Sequence, residues 1–409
     1  MNASLSPLQE LTQKYREKWN CCATDFPTLS KSFNRLEKGI GERRLDRFFD
    51  DIKTQEKDWK GDSRKFFTLM KTFFREGLAY SEEQLEVILS DEMVEATRSF
   101  VIKARAFDAE LSKDEIFQAC RNVWIMNGLQ YVFGKPIEIT PSIFAYSMLY
   151  PYTDNYIDDP TISQERKEAF SRRFYQRLDG EALCPENEME ERIFSLVEMI
   201  EGEFHRKEFP QVYQSLLAIH EAQSRSAGLI NSRDQLSEGE TFEICVKKGA
   251  TSVIADGCLI LGSLDEKQLQ FLFEYGAYLQ LLDDLQDASE DYKGQLFTCF
   301  SRAIPNEKLD QYLCRTYNMG REVLQTIEDL YPKQKVFKSL MQKSIDLFLV
   351  EAIVNNQDYF SSQFAGEFER YSPFRFDYIR EKSSTLSPYQ SMLFQQIEKL
   401  AMEEVEIIG

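Results

Sequence analysis

Apolar residues recur at three- and four-residue intervals along most of the chain, and strict alternation is nowhere long enough for a convincing strand. The pattern predicts an all-α protein, a single large bundle of roughly a dozen or more helices. Residues 1–95 read as short, densely charged helical pieces (Arg43–Asp51, Arg64–Glu76, Ser81–Leu89), with Ser81 ahead of Glu83 and Gln84 as a helix start. No fixed repeat or low-complexity linker separates this part, so it is expected to be an N-terminal helical extension packed on the main body. Two longer helices are expected between Ser90 and Phe133, and Thr140 is placed to cap a helix whose first residue is Pro141. Further helices follow over 163–182, 188–208, 211–230 and 240–261. In the last of these, Gly249, Ala250 and Gly257 share an apolar face and would let a neighbouring backbone approach closely. Ser263 and Glu266 read as a capping box for the next helix. Helices near 306–330 and 333–356, an aromatic tail from Phe364 to Tyr378 and a last helix from Pro388 complete the pattern.

Two helices run from an apolar stripe into acid. The helix from Pro141, PSIFAYSMLYPYTDNYIDDP, passes through an aromatic face to Asp154, Asp158 and Asp159 before Pro160 stops or kinks it. The second, LQLLDDLQDASED at 279–291, follows the stripe Phe271, Tyr275, Tyr278, Leu282 and Leu285. Read as one helix, it sets Asp283, Asp287 and Asp291 in a row at i, i+4, i+8, with Asp284 and Glu290 off the row, behind it or in solvent. Like charges at that spacing cost a few tenths of a kcal/mol per pair, about 0.2–0.5, unless a cation lies between them. Such a conflict with local stability is expected at functional sites.

Composition narrows the choice. The 409 residues carry a net charge of −19, which argues against nucleic-acid binding and against strong attachment to anionic membranes. The 31 Phe and 19 Tyr exceed routine packing needs. Eight Cys, with no CxxC pair and only two His, argue against a zinc site and fit small buried hydrophobes in a reducing compartment. No signal-peptide core or spanning apolar window is present, so a soluble, cytoplasmic protein without a transmembrane segment is expected. Weak peripheral membrane contact stays open, as does the oligomeric state.

Aspartates from two facing helices of a bundle would hold Mg²⁺, which takes oxygen ligands from one or two carboxylates, waters and substrate phosphates. The chemistry this suits is loss of diphosphate, with an aromatic chamber sheltering the carbocation left behind. Phe144, Tyr146, Met148 and Tyr152 are candidates for its floor. Taken singly, each acid cluster also reads as a solvated face.

The two clusters resemble the aspartate-rich motifs of class I isoprenoid synthases. DNYIDD is similar to the DxxxD motif of squalene and phytoene synthases, and LQLLDDLQDASED resembles their LQxxNxxRDxxED, keeping Leu279, Gln280, Asp287, Glu290 and Asp291. Asp283 stands where those enzymes have Asn, and Gln286 where they have Arg. The same stretch fits the NDxxSxxxE motif of terpene cyclases through Asp283, Asp284, Asp287 and Asp291. VKKGATSVIADGCLILG at 246–262 resembles the diphosphate-binding helix of prenyl-diphosphate synthases, with Lys247 at the Lys position. Arg370-Tyr371 lies where terpene cyclases often carry an Arg-Tyr pair.

The resemblance covers roughly residues 140–300. It implies an isoprenoid synthase domain over 96–409 and a prenyl diphosphate substrate bound through Mg²⁺. It further implies a ligand set of Asp154, Asp158, Asp159, Asp283, Asp287 and Asp291, with Asp154, Asp158, Asp283, Asp287 and Asp291 catalytic. Arg225, Arg233, Lys247, Lys293, Arg370 and Tyr371 would grip the diphosphate, Lys247 and Lys293 foremost because they flank the motif region. Chain elongation is disfavoured, because no basic residues follow the first motif. Asp283 in place of Asn, and a 242–250 segment without the Tyr-Cys helix of the head-to-head enzymes, turn the choice to a terpene cyclase. The alternatives are a squalene/phytoene-type prenyltransferase and a non-catalytic helical scaffold derived from such an enzyme.

Overall fold

The computed structural model describes residues 6–29, 31–59, 63–159 and 161–382. It is helical throughout, with no strand among the described residues. Among the described residues seventeen α-helices follow one another: α1 (Ser6–Cys21), α2 (Arg35–Trp59), α3 (Ser63–Glu76), α4 (Glu82–Ile88), α5 (Asp91–Phe107), α6 (Lys113–Val132), α7 (Pro141–Asp158), α8 (Gln164–Asp179), α9 (Glu188–Glu203), α10 (Pro210–Ser226), α11 (Glu238–Leu261), α12 (Glu266–Gln286), α13 (Ala288–Lys293), α14 (Cys299–Ala303), α15 (Asp310–Leu330), α16 (Lys335–Asn355) and α17 (Ser362–Glu369). The expected last helix from Pro388 lies outside the described residues. None of the described helices is long and apolar enough to cross a membrane.

The chain divides into two compact units. One takes its described residues from Met1–Ile88, Ala222–Ile254 and Glu266–Ser387, the other from Leu89–Glu221 and Ala255–Asp265.

In the first unit α12 is the central helix, packed by α1, α14, α15 and α16. Its buried positions run all round it, from Phe271 and Phe273 through Tyr275 and Tyr278 to Leu285, as expected of a helix enclosed on every side. Close approach is built into it. A Cβ added at Gly276 would lie 2.3 Å from the Gly249 carbonyl oxygen, and one added at Gly249 would lie 2.4 Å from that of Gly276. The small face expected at Gly249 and Ala250 is therefore a backbone-to-backbone crossing of α11 and α12. The N-terminal helices are tied down far along the chain: Arg16 bonds Glu243, Lys18 bonds Glu274, Tyr80 meets Ser344 and the Arg375 guanidinium donates to Glu42. Ser81 and Gln84 cap α4 reciprocally, as read from the sequence.

In the second unit α7 is central, packed by α5, α6 and α9. Thr140 caps it, its hydroxyl accepting from the Ile143 amide, with Pro141 at the first helical position. Residues 142–149 are buried without interruption. Pro151 sits inside the helix, where it can donate no bond to the Ser147 carbonyl. Phe144 packs against Phe100 and Phe107, and Tyr146 against Tyr150.

One expected cap is replaced. α12 begins at Glu266, two residues later than a cap at Ser263 would start it, and the Leu264 amide donates to the side chain of Gln211 instead.

Candidate metal and active site

The second acidic motif does not lie on one helix. α12 ends at Gln286, Asp287 stands at the junction with φ −89° and ψ 3°, and α13 begins at Ala288. The cause is Asn356, at the end of α16, which is only 1% exposed. Its amide nitrogen donates to the carbonyls of Leu285 (3.1 Å), Gln286 (2.9 Å) and Ala352 (2.9 Å), and its oxygen accepts from the Ser289 amide at 2.8 Å. A side chain inserted in this way takes over acceptors that the next helical turn would use, and the helix breaks there. The i, i+4 backbone bonds from Asp287 to Asp283 and from Asp291 to Asp287 survive on the opposite side. The expected straight row of three acids is thus a row bent at its middle member.

Burial differs sharply along the motif. Asp287 and Glu290 are exposed, while Asp283 and Asp291 are half-buried. Asp284, expected behind the row or in solvent, is 5% exposed. Burial raises its pKa to about 7, the Gln280 amide bond at 2.8 Å opposes this, and the charge of Asp283 adds to it. Lys248 is the cation that pulls the Asp284 pKa down. Asp291 is likewise pushed up to about 7, first by burial and then by the charges of Asp284 and Asp287, against a hydrogen bond from the Thr298 hydroxyl at 3.3 Å. Four carboxyls therefore share one region and repel one another, as a cation site would require.

Asp284 faces sulfur as well as oxygen. It lies with Cys245 of α11 and Cys299 of α14, one donor atom from each within 4.8 Å of the others, all three buried. Among the described residues no other group of metal-ligating side chains converges so closely; Asp283, Asp287 and Asp291 do not. The even scatter of Cys along the sequence hid this cluster.

After α13 the chain is pinned to the loop following α10. Ile230 and Leu296 form an antiparallel bridge, the Asn231 amide donates to the Gln295 carbonyl, and both Asn231 (φ 56°) and Gln295 (φ 59°) take left-handed conformations rare for such residues. Arg233, on this loop, lies over the Phe297 ring at 5.9 Å. Arg225 is close enough to Lys247 to help depress its pKa, which burial lowers most. The Lys247 ammonium donates to Gln9 at 2.7 Å, and the charge of its neighbour Lys248 helps to lower the Asp284 pKa. Lys293 is exposed in the last turn of α13. Arg370 is exposed at the end of α17, its carbonyl accepting from the Phe33 amide, and Tyr371 packs on Phe26. Those contacts place the pair against the N-terminal segment.

In the second unit Asp154 is half-buried and accepts from the Thr153 hydroxyl at 3.4 Å. Asp159 ends α7, and one of its oxygens is taken by both the amide (2.7 Å) and the hydroxyl (2.6 Å) of Thr161, which hold its carboxyl below the usual range. Asp159 thus closes a local turn, and its other oxygen is left for a ligand. The Asp158 side chain and Pro160 lie outside the described residues. Tyr152, a candidate floor residue, donates to Asp108 at 2.7 Å, which also receives Arg192. Asp256, fully buried, accepts from Asn122, and burial pushes its carboxyl well above the usual range against that bond.

No protein-family model, curated protein or solved structure matches the chain.

The raised Asp284 carboxyl sets a pH dependence. In the unfolded chain the group ionises near 3.8, and in the fold near 7. A carboxyl raised on folding contributes stability that is complete below the unfolded value and is lost as pH climbs through the folded one. The melting midpoint of the wild type, relative to Asp284→Asn, should therefore fall between about pH 4 and 7. A flat difference across that range would mean that Asp284 is not buried.

Proposed function

We propose that the chain is a Mg²⁺-dependent class I terpene synthase that ionises a long allylic prenyl diphosphate and releases diphosphate to form a hydrocarbon or alcohol. The observation that carries this reading is that the central helix of each unit leads into an acidic cluster: α7 into Asp154, Asp158 and Asp159, and α12, through its junction with α13, into Asp283, Asp287 and Asp291. The donor sets are all oxygen, which suits Mg²⁺, and the ion needs only one or two carboxylates alongside water and phosphate oxygens, so full convergence of three is not required. Mg²⁺ would neutralise the charge that builds on the departing diphosphate. Asp283, Asp287 and Asp291 would hold it in the first unit, and Asp154, Asp158 and the free oxygen of Asp159 in the second. Lys247, Lys248, Arg225 and Arg233 would add positive charge for the phosphate oxygens, with Lys248 replacing Lys293 as a leading candidate. Aromatic faces such as Phe144 and Tyr146 would stabilise a carbocation by about 0.5–2 kcal/mol each.

Purified protein with Mg²⁺ and prenyl diphosphates of graded length, from farnesyl upward, should release diphosphate and yield a terpene by mass spectrometry. Asp158→Ala and Asp287→Ala should each cut turnover by roughly a thousandfold or more while leaving the helical circular-dichroism signal unchanged. A squalene- or phytoene-type condensation would show as a coupled product of two prenyl chains. No turnover across the panel, with or without NADPH, would overturn both enzyme readings, and absence of Mg²⁺-dependent diphosphate binding by calorimetry would leave the scaffold.

A further inference from the structure

We infer that Cys245, Cys299 and Asp284 form a second, sulfur-rich metal site for a borderline-soft divalent ion of the Zn²⁺ kind, separate from any Mg²⁺ held by the neighbouring acids. The three donors come from three packed elements of one unit: Cys245 from α11, Asp284 from the last turn of α12, and Cys299 from the first position of α14. Cys299 is set rigidly, because Thr298 caps α14 reciprocally with Ser301. Bond lengths of Zn²⁺ to thiolate and carboxylate place tetrahedral donors about 3.6–3.8 Å apart. The observed donors lie within 4.8 Å of one another, so small side-chain rotations close the set.

Three buried polar atoms around this cluster lack the partner that burial demands. Asp284 Oδ1 is taken by Gln280, while Oδ2 is left with no partner but the weak donor of the neighbouring Cys245 thiol. Thr241, one turn before Cys245 on α11, has a fully buried hydroxyl with no partner. The Tyr15 hydroxyl, buried and electrostatically in range of Cys299, is also unpartnered. An orphaned buried oxygen costs about 1–3 kcal/mol, and natural folds seldom keep several together without an ion or water among them. The donor chemistry selects the ion. Thiolates favour Zn²⁺ and similar metals, whereas Mg²⁺ takes oxygen. Binding expels the thiol protons to the solvent as thiolate–metal bonds form, with no change of oxidation state. A water or one of the neighbouring hydroxyls would complete four-coordination.

The test is metal analysis of the full-length chain purified under reducing conditions, followed by titration of the metal-stripped protein with Co²⁺. The expected result is about one zinc per chain as purified, and a thiolate-to-cobalt charge-transfer band that saturates at one equivalent. Cys245→Ser and Cys299→Ser should each weaken Co²⁺ binding by roughly tenfold or more and diminish the band, and Asp284→Asn should weaken binding while keeping the band. The wild-type titration decides the matter even where a variant fails to fold. Reduced thiols with neither zinc nor a cobalt band, a Cys245–Cys299 disulfide in the reduced preparation, or an undiminished band in the double serine variant would each overturn the assignment. None of these readouts depends on turnover, so the outcome stands apart from that of the Mg²⁺-dependent reaction.

Discussion

Replacing Asn356 by leucine should destabilise the first unit by about 3 kcal/mol or more and erase the break between α12 and α13. The side chain makes four hydrogen bonds in a site closed to water, and leucine, similar in size, can make none. The Leu285 and Gln286 carbonyls and the Ser289 amide lose this partner, each at a cost of about 1–3 kcal/mol unless a local rearrangement answers it, while the Ala352 carbonyl keeps the backbone amide of residue 356. The rearrangement open to the chain is the ordinary one: the Ser289 amide turns back to the Leu285 carbonyl and the two helices join. That would draw Asp287 and Asp291 into the straight row suggested by their spacing. The variant should thus show a lowered melting midpoint together with altered Mg²⁺ binding. Asn356→Asp separates the two effects, because it keeps the acceptor for Ser289 but puts an oxygen against the Leu285 and Gln286 carbonyls. An unchanged midpoint in Asn356→Leu would mean that the insertion does not hold the junction.

Gly276→Val should be the more damaging change. Its added Cβ would meet the Gly249 carbonyl oxygen at 2.3 Å and the Ala250 Cα at 2.9 Å. These are backbone atoms of a long helix, so no rotamer change relieves the contact, and α11 and α12 must separate along their crossing. Overpacking of this kind costs about 1–3 kcal/mol where side chains can yield, and more is expected where they cannot. At about 2–4 °C per kcal/mol for a unit of this size, the midpoint should drop by roughly 6–12 °C or the chain should fail to accumulate. Gly366→Ala is the matched control. It lies inside α17 with nothing within 4 Å of the added Cβ, and there alanine should be neutral or stabilising by up to about 1 kcal/mol. Equal behaviour of the two variants would refute the close crossing.

The contrast between these positions marks what could be read from the chain. Local signals carried well: Thr140 and Pro141 start α7, Ser81 and Gln84 cap α4, and the small residues near Gly249 mark a close crossing. Each rests on residues a few positions apart, whose effect is set before distant parts arrive. What failed depended on a partner far along the sequence. The helix break is made by Asn356, the cluster at Asp284 by the arrival of Cys245 and Cys299, and the lost cap at Ser263 by Gln211. The electrostatic contact of Lys248 with Asp284 was missed for a different reason, because one residue is a rotation of about 100° around a helix and sequence periodicity does not fix which side meets the acids. For the candidate site, the sequence showed which residues are acidic and that their charge is unusual for a fold. It could not show which of them are dry, and dryness is what raises Asp284 and Asp291 above their neighbours.

The ties between the N-terminal helices and the far end of the chain also set a clock. Glu42 receives Arg375 across 333 positions, and Tyr80 meets Ser344 across 264. At synthesis rates of about 5–20 residues per second, Glu42 leaves the ribosome roughly 17 to 67 seconds before its partner exists. During that interval Glu42 and Tyr80 lack these partners, while Leu89–Glu221 has already been made and can bury much of its own core. The helices carrying Glu42 and Tyr80 are therefore synthesised well before they can be finished, and for that time they are open to chaperones and proteases.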